Sequence, residues 1–503
     1  MPRLPNALRP SAEAAALVKR AKELASGPVY VVGGALRDLA LGRPVHDVDL
    51  AAKGAHALAK ALASAVGGTL VVLDEQAQVF RVALGRVYKV VHQVDVAELQ
   101  GGEIEDDLAR RDFTINALAI PASAKRLWAL SELVDPRGGW KDLSGKSVRA
   151  ESEALFKDDP LRLLRAVRIA AQLGFAIEEK TLSLMERLRH RVRVPAGERV
   201  QAELMALLSQ PGSSRWLRTM DERGLLTALF PELEPARRCA EVYYGEGGVL
   251  KHSLDAAARA DFLLDSLVKV FPEHGRHVGE SLPQGSRALL MLATLLHDVA
   301  KPDTAKTVGG RLRFFGHEQA GAKRSTEILR RLKFSRAQID EVSTVIAHHL
   351  RPGNLAAGGL VTDKAAYRFF RDLGPHALPL LLVCWADHAS YLPHERVVKL
   401  LRAAAQPPEE GAQARARLSP AEAQKTVYHL QVISGLMGRL FAETKPVPDR
   451  LVDGTEVMKI LALPPGPEIG KALEQLREAQ AEGKVKTRDE ALAFLKTLPK
   501  SQQ

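Results

Sequence analysis

The chain has 503 residues, 46% of them hydrophobic and 26% charged, the balance of a globular protein rather than a disordered or fibrous one. Lysine and arginine outnumber aspartate and glutamate by 71 to 60, a formal charge of +11 that suits a polyanionic partner, because neutralising phosphates releases counterions. Two distant cysteines, Cys239 and Cys384, exclude a disulfide framework and favour a reducing cytoplasm. No apolar run reaches the length of about 18 residues that a membrane span needs, and residues 1–10 lack the apolar stretch of a signal peptide.

At this length several domains are expected, with boundaries at 1–146, 147–246, 247–405 and 412–503. Residues 29–34 read as a buried strand ending in a glycine turn, and 37–41 as the start of a helix. Residues 45–50 form a second strand, and 69–73, 79–84 and 86–96 supply three more. Strands and helices mix without strict alternation, so the first domain is α+β. From about Glu151 the pattern is helical almost throughout. Residues 406–413, rich in Pro, Glu and Gly, read as a linker before a last helical segment, 418–503.

Chemistry concentrates at His46-Asp47-Val48-Asp49-Leu50. On a strand, residues two apart share a face, so Asp47 and Asp49 project together while Val48 and Leu50 enter the core. Paired carboxylates repel unless a cation lies between them, and magnesium suits carboxylate and phosphate oxygens. Asp95, between Val94 and Val96, offers a third carboxylate, enough for two-metal phosphoryl transfer. Upstream, Gly33 and Gly34 let backbone N–H groups approach a triphosphate, with Arg37 as an added positive charge.

Gly33-Gly34-Ala35-Leu36-Arg37-Asp38, then Asp47-Val48-Asp49, then Arg110-Arg111-Asp112-Phe113-Thr114-Ile115-Asn116-Ala117 resemble the class II tRNA CCA-adding enzyme and bacterial poly(A) polymerase family. The resemblance covers the first 240 residues or so and returns in the C-terminal segment. It implies a polymerase-β-like nucleotidyltransferase head followed by an all-helical neck, an HD domain and a helical tail. It also implies Mg2+ as cofactor and tRNA, CTP and ATP as partners, with no nucleic-acid template. Asp47, Asp49 and Asp95 would be catalytic. Arg111 and Asp112, with Asn116 in the same motif, would bind the incoming nucleotide through its ribose. A plainer role for Asp112 is to cap a helix over 113–120.

Residues 157–168 are expected to open a helix at Asp159-Pro160, with Leu161, Leu164 and Val167 facing the neck core. Asp159 and Arg162, three apart, then share a face, with Arg165 one turn beyond Arg162. An acceptor beside donors matches the pairing edges of cytosine and adenine, and rejects uracil and guanine by ~1–3 kcal/mol. The family uses such positions as a protein template for C and A; Asp158 here is shorter than its usual Glu. The plainer reading is a surface salt bridge. A larger departure follows Asp95. Gln100 occupies a position where the family has Arg, and only Gly101-Gly102-Glu103-Ile104 precede the acidic run Glu105-Asp106-Asp107. The flexible loop that serves the family as a lever for admitting ATP is nearly absent, which favours CC addition and counts against poly(A) synthesis.

His252, His297-Asp298, His317, His348-His349 and Asp387 follow the order of HD phosphohydrolases. The expectation is one metal at His252, His297, Asp298 and Asp387, and a second at His317 with His348 or His349. Imidazole and carboxylate donors suit manganese, nickel, iron or zinc. Lys301 and Lys471 are candidate phosphate contacts, or ordinary helix-end charges. The reading is a tRNA 3′-end nucleotidyltransferase with a possible HD hydrolase activity. Its rivals are a poly(A) polymerase and a metal-dependent phosphohydrolase with an RNA-binding head.

Overall fold

Val29, Val31 and Val32 are buried in a four-residue strand, β1 (Val29–Val32), where β-branched side chains pack well on a pleated surface. The computed structural model describes residues 4, 8–123, 128–357, 361–408, 411–419, 421–442 and 448–498. Two compact units emerge, Met1–Pro195 with Arg223–Ala228, and Ala196–Glu222 with Leu229–Gln503; the division falls within residues 147–246.

In the first unit β1 joins β2 (Asp47–Ala52), β3 (Thr69–Asp74), β4 (Val79–Ala83), β5 (Gln93–Glu98) and β6 (Ala119–Pro121) in one sheet of order β3-β4-β5-β2-β1-β6. Only β2 and β5 pair in parallel. Helices α1 (Ala12–Leu24), α2 (Gly34–Ala40), α3 (Ala55–Val66), α4 (Ile104–Arg110) and α5 (Gly139–Ser144) accompany the sheet. Leu58 and Leu62 of α3 are buried, as are Phe80, Val82, Val94 and Val96 of the strands that α3 packs on.

The strand expected over 86–96 is confined to Gln93–Glu98. The backbone N–H groups of Lys89, Val90 and Val91 donate instead to the Glu13 carboxylate, at 2.8–3.0 Å. A side chain thus satisfies donors that would otherwise need a neighbouring strand. Nor is there a helix over 113–120: Thr114–Asn116 form one 3-10 turn, and the chain then enters β6.

The helix expected from 157 is broken. Ala154–Asp158 and Arg162–Leu173 are separate helices, with Asp159 extended between them. Pro160 accounts for the break, since it disfavours a helical conformation in the residue before it. Leu161, Leu164 and Val167 are buried as expected.

The second unit is built from helices that include Gly248–Asp265, Ser286–Leu296, His317–Arg331, Arg336–His348 and Ala377–Ser390. Two small sheets among the described residues depart from the all-helical expectation: a parallel pair of Ser147–Val148 and Ala176–Ile177 in the first unit, and in the second a hairpin of Lys306–Val308 and Arg311–Arg313. Glu409 and Glu410 of the expected linker lie outside the described residues; Ala412–Ala416 beyond them is a short helix. Among the described residues no helix is long and apolar enough to cross a membrane.

Candidate active site and metal centre

On β2, Val48 and Leu50 are buried while Asp47 is exposed and Asp49 partly so; the alternation acts as expected. The parallel register sets Asp49 against Asp95 of β5, and the antiparallel register sets Asp95 against Arg81 of β4. Arg81 Nε and Nη2 donate to the two oxygens of Asp95, each at 2.8 Å. The third carboxylate is thus held by a guanidinium, a bidentate arrangement that is among the stronger charge-assisted contacts. Burial, then the Asp95 charge, raise Asp49 to a pKa of about 6, and burial first also raises Asp47. Two carboxylates kept from ionising easily fit a divalent cation that would neutralise them.

Gly33 sits at φ +72° between β1 and α2, a conformation that favours glycine. A Cβ there would lie 3.3 Å from Arg111 Nη1 and 3.4 Å from Asp49 Oδ2, so the turn runs directly beside the carboxylates. Gly34 opens α2, whose buried Arg37 is held by both oxygens of Asp38 and by Asn116 Oδ1 at 2.6 Å. Asn116 Nδ2 in turn donates to Asp112 Oδ1 at 2.9 Å, and Arg165 Nε lies 2.7 Å from Asp112 Oδ2. Burial alone would raise Asp112, but Arg165 and the hydrogen bonds from Asn116 and Phe113 hold it below the usual carboxylate range. Its capping role reduces to one bond from Phe113 N. Arg111 Nε donates to Asp107 at 2.8 Å.

These side chains line one cleft of about 970 Å³ with Asp47, Asp49, Asp95, Asp159 and Arg162. The expected common helical face of Asp159 and Arg162 is not formed, because Asp159 precedes the helix. Asp159 Oδ1 accepts from Leu161 N, and Arg162 reaches the carbonyls of Leu155 and Arg110. Sequence reasoning missed Arg81, although strand alternation places it on the Asp95 face. It also missed Arg43, His46 and Arg168, which line the same cleft.

Two outcomes follow for magnesium. Asp49 is raised in the folded protein, so its contribution favours folding at low pH and is lost as pH rises from about 4 to about 6. Magnesium needs the ionised form. It should therefore raise the melting temperature at pH 7.5 and have little effect at pH 5. Arg81→Ala, which leaves Asp95 unpaired, should destabilise the metal-free protein by about 1–3 kcal/mol, with magnesium restoring more stability than it adds to the wild type. Equal magnesium shifts at the two pH values, or in the two proteins, would contradict this account of the charges.

In the second unit six side chains able to ligate a metal converge. One group is His252, His297 and Asp387; the other is Asp298, His317 and His349; within each, the ligand atoms lie within 4.8 Å. His297 and Asp298 lie just past the end of the buried helix Ser286–Leu296, not within it. Asp298 bridges the groups. Its Oδ2 is 3.1 Å from His297 Nε2 and 3.4 Å from His252 Nε2, while Oδ1 is 3.3 Å from His317 Nε2 and 3.7 Å from His349 Nε2. The one-metal expectation for His252, His297, Asp298 and Asp387 thus becomes two triads sharing the His297-Asp298 step.

The Nδ1 atoms of His297, His317 and His349 each bond a backbone carbonyl at 2.7 Å, and His252 Nδ1 lies 3.1 Å from Ser390 Oγ. These bonds fix the proton on Nδ1 and turn each Nε2 lone pair inward. Nε2 of His252 and His297 and Oδ1 of Asp298 and Asp387 are buried without a hydrogen-bond partner. Lone pairs facing lone pairs are reconciled only by protons or metal cations. Burial would lower His297, but Asp298 and Asp387 raise it to about 10 in the metal-free protein, and the same partners keep both carboxylates ionised against burial.

His348 is not part of either group. Adjacent residues at a helix end diverge; burial, then the nearby Arg351 charge, hold the His348 imidazole below its usual range. Lys301 Nζ bonds Asp298 Oδ2 at 2.5 Å and the Tyr244 hydroxyl at 2.8 Å, and Tyr244 stacks on His252 at 4.6 Å. Lys471 pairs with Glu468. Metal content separates the adjacent histidines. His349→Ala should lose about one equivalent of transition metal per chain by elemental mass spectrometry, and His348→Ala should lose none; the reverse would refute the assignment.

Three family descriptions match in chain order: "Poly A polymerase head domain" over residues 29–149, "Probable RNA and SrmB- binding site of polymerase A" over 174–237, and "HD domain" over 249–392. An A-adding tRNA nucleotidyltransferase of Deinococcus radiodurans is 34% identical, covering 92% of this chain and 94% of its own. A CC-adding tRNA nucleotidyltransferase of Thermus thermophilus is 32% identical, covering 93% and 92%. The fold resembles that of the Thermotoga maritima CCA-adding enzyme complexed with tRNA, at a TM-score of 0.62 and 20% identity over 96% and 94% of the two chains. A polymerase-type head followed by helical and HD regions makes the protein a nucleotidyltransferase. The chain belongs to the CCA-adding tRNA nucleotidyltransferase family, whose members add C, A or both.

Proposed function

We propose that this enzyme adds two cytidines from CTP to the 3′ end of tRNA and adds the terminal adenosine from ATP poorly. In this reading the tRNA 3′-hydroxyl attacks the α-phosphorus, the bond to the β-phosphate bridge breaks, and pyrophosphate leaves. Magnesium held by Asp47 and Asp49 would supply charge neutralisation at the transferring phosphate. Asp95, tied to Arg81, keeps the third carboxylate in place beside Asp49. The N–H groups of the Gly33-Gly34 turn and Arg37 suit the triphosphate, and the linked Arg111, Asp112 and Asn116 suit the ribose. Asp159 and Arg162 supply an acceptor and donors to the base edge.

One observation carries the choice of C over A. Only residues 99–103 join β5 to α4, and they form a closed turn. Gly101 and Gly102 have φ of +84° and +105°, a Cβ on Gly101 would come within 2.4 Å of Asp106 Cβ, and Gln100 N donates to Asp107. A turn so confined offers no lever to re-form the base site for adenine.

The test uses tRNA transcripts ending before CCA, after C and after CC, each with one nucleotide. CTP should extend the first two efficiently, and ATP should extend the third poorly. Grafting a family-length loop after Gln100 should raise A addition and leave C addition unchanged. Efficient A addition by the unaltered protein to tRNA ending in CC overturns the reading.

The six-ligand centre supports a second activity, hydrolysis of phosphoesters in the HD domain. Two transition metals held by His252, His297, Asp298, His317, His349 and Asp387 would polarise a phosphate and activate water.

A further inference from the structure

One row of side chains crosses four strands of the sheet in the first unit. Asp49 of β2 stands level with Asp95 of β5, Asp95 with Arg81 of β4, and Arg81 with Val71 of β3. Residues opposite one another on paired strands share a face, and β3 is the edge of the sheet. Phe80 and Val82 turn to the other face, where α3 packs. The row therefore runs from the paired carboxylates outward to open surface, and Val71 at its end is 40% exposed.

Arg81 has more donors than its partner in this row uses. Nε and Nη2 hold the two oxygens of Asp95, and Nη1 has no hydrogen-bond partner among the described residues. A guanidinium bound through its Nε–Nη2 edge turns Nη1, with two N–H donors, away from the carboxylate. The side chain is 33% exposed and lines the cleft.

The geometry of the transfer says what comes to this side. β1 and β5 flank β2 on opposite sides, and the Gly33 turn that suits the triphosphate follows β1 and lies beside Asp49. An attacking 3′-hydroxyl must approach the α-phosphorus opposite the departing pyrophosphate. With the triphosphate toward β1, that approach passes over β5 and β4, along Asp95 and Arg81. The nucleotide that carries the hydroxyl brings one phosphate with it, its own 5′ link to the strand. Two spare guanidinium donors match that phosphate, and an exposed valine beside them matches the apolar side of a ribose.

We propose that Arg81 and Val71 form the subsite for the acceptor end, with Arg81 Nη1 on the phosphate that joins the last two nucleotides of the tRNA. The inference rests on magnesium at Asp47 and Asp49, as proposed above, and adds where the strand lies. One guanidinium then holds two anions, the strand through Nη1 and Asp95 through its other edge. Arg81 is thus a positioning residue that fixes the end of the strand relative to the third carboxylate.

The full-length protein is assayed for C addition to tRNA ending before CCA, with the last internucleotide phosphate intact or replaced by an uncharged methylphosphonate. The wild type should lose roughly tenfold or more in kcat/KM on the neutral linkage, the weight of a charge-assisted hydrogen bond. Arg81→Gln should lose at least as much on the natural strand and nothing further on the neutral one, with KM for CTP unchanged. Losses that multiply, or a wild type indifferent to the linkage, overturn the subsite. Val71 is exposed, so its variants probe the site with the Arg81–Asp95 pair in place. Val71→Lys should lower KM for tRNA and Val71→Glu should raise it, each by roughly two- to fivefold, and KM for CTP should not move. Unchanged values, or shifts of one sign, count against the inference and overturn it. Undiminished C addition by Asp47→Ala would instead overturn the magnesium reading, and the subsite with it.

Discussion

The repulsion between carboxylates on neighbouring strands is the constraint around which the head is arranged. Parallel pairing of β2 and β5 brings Asp49 level with Asp95, and burial together with the Asp95 charge makes ionising Asp49 costly. The surrounding cations have separate tasks. Arg81 is committed to Asp95, Arg111 lies beside Gly33 and Asp49, and Arg37 is turned toward Asp38 and Asn116. The remaining unneutralised pair, Asp47 and Asp49, is where a divalent cation and a triphosphate would complete the charge balance in the proposed reaction.

The second unit meets the same problem with a different donor set. Four imidazoles present Nε2 inward because their Nδ1 atoms are occupied by carbonyls or a hydroxyl. Nitrogen ligands favour transition metals where the head's oxygen ligands favour magnesium. On the proposed reading each centre would select its own ion by ligand chemistry.

The proposed base site would link local chain geometry to function. The break at Pro160 takes Asp159 off the helix, while Arg162 is pinned by two carbonyls and Arg165 by Asp112. The base edge would thus meet groups positioned by backbone contacts from both sides of the break. The closed turn at residues 99–103 adds rigidity next to Arg111, through Asp107, which accepts from both Gln100 N and Arg111 Nε.

The sequence by itself singled out the residues proposed to carry the chemistry. Strand alternation alone puts Asp47 and Asp49 together, glycine at Gly33 permits the turn, and the ordered histidines point to the candidate metal centre, because these signals are local in the chain. Only the tertiary structure decided the pairings. Arg81 with Asp95 depends on strand register, Asp298 as a bridge and His349 over His348 depend on how five helices meet, and the shortened strand at Gln93–Glu98 depends on Glu13, some 76–78 residues away. The exposed hairpin at 306–313 was hidden in a helical pattern for the same reason. Contacts between distant segments leave no periodic trace in the chain, whereas the alternation of a single strand does.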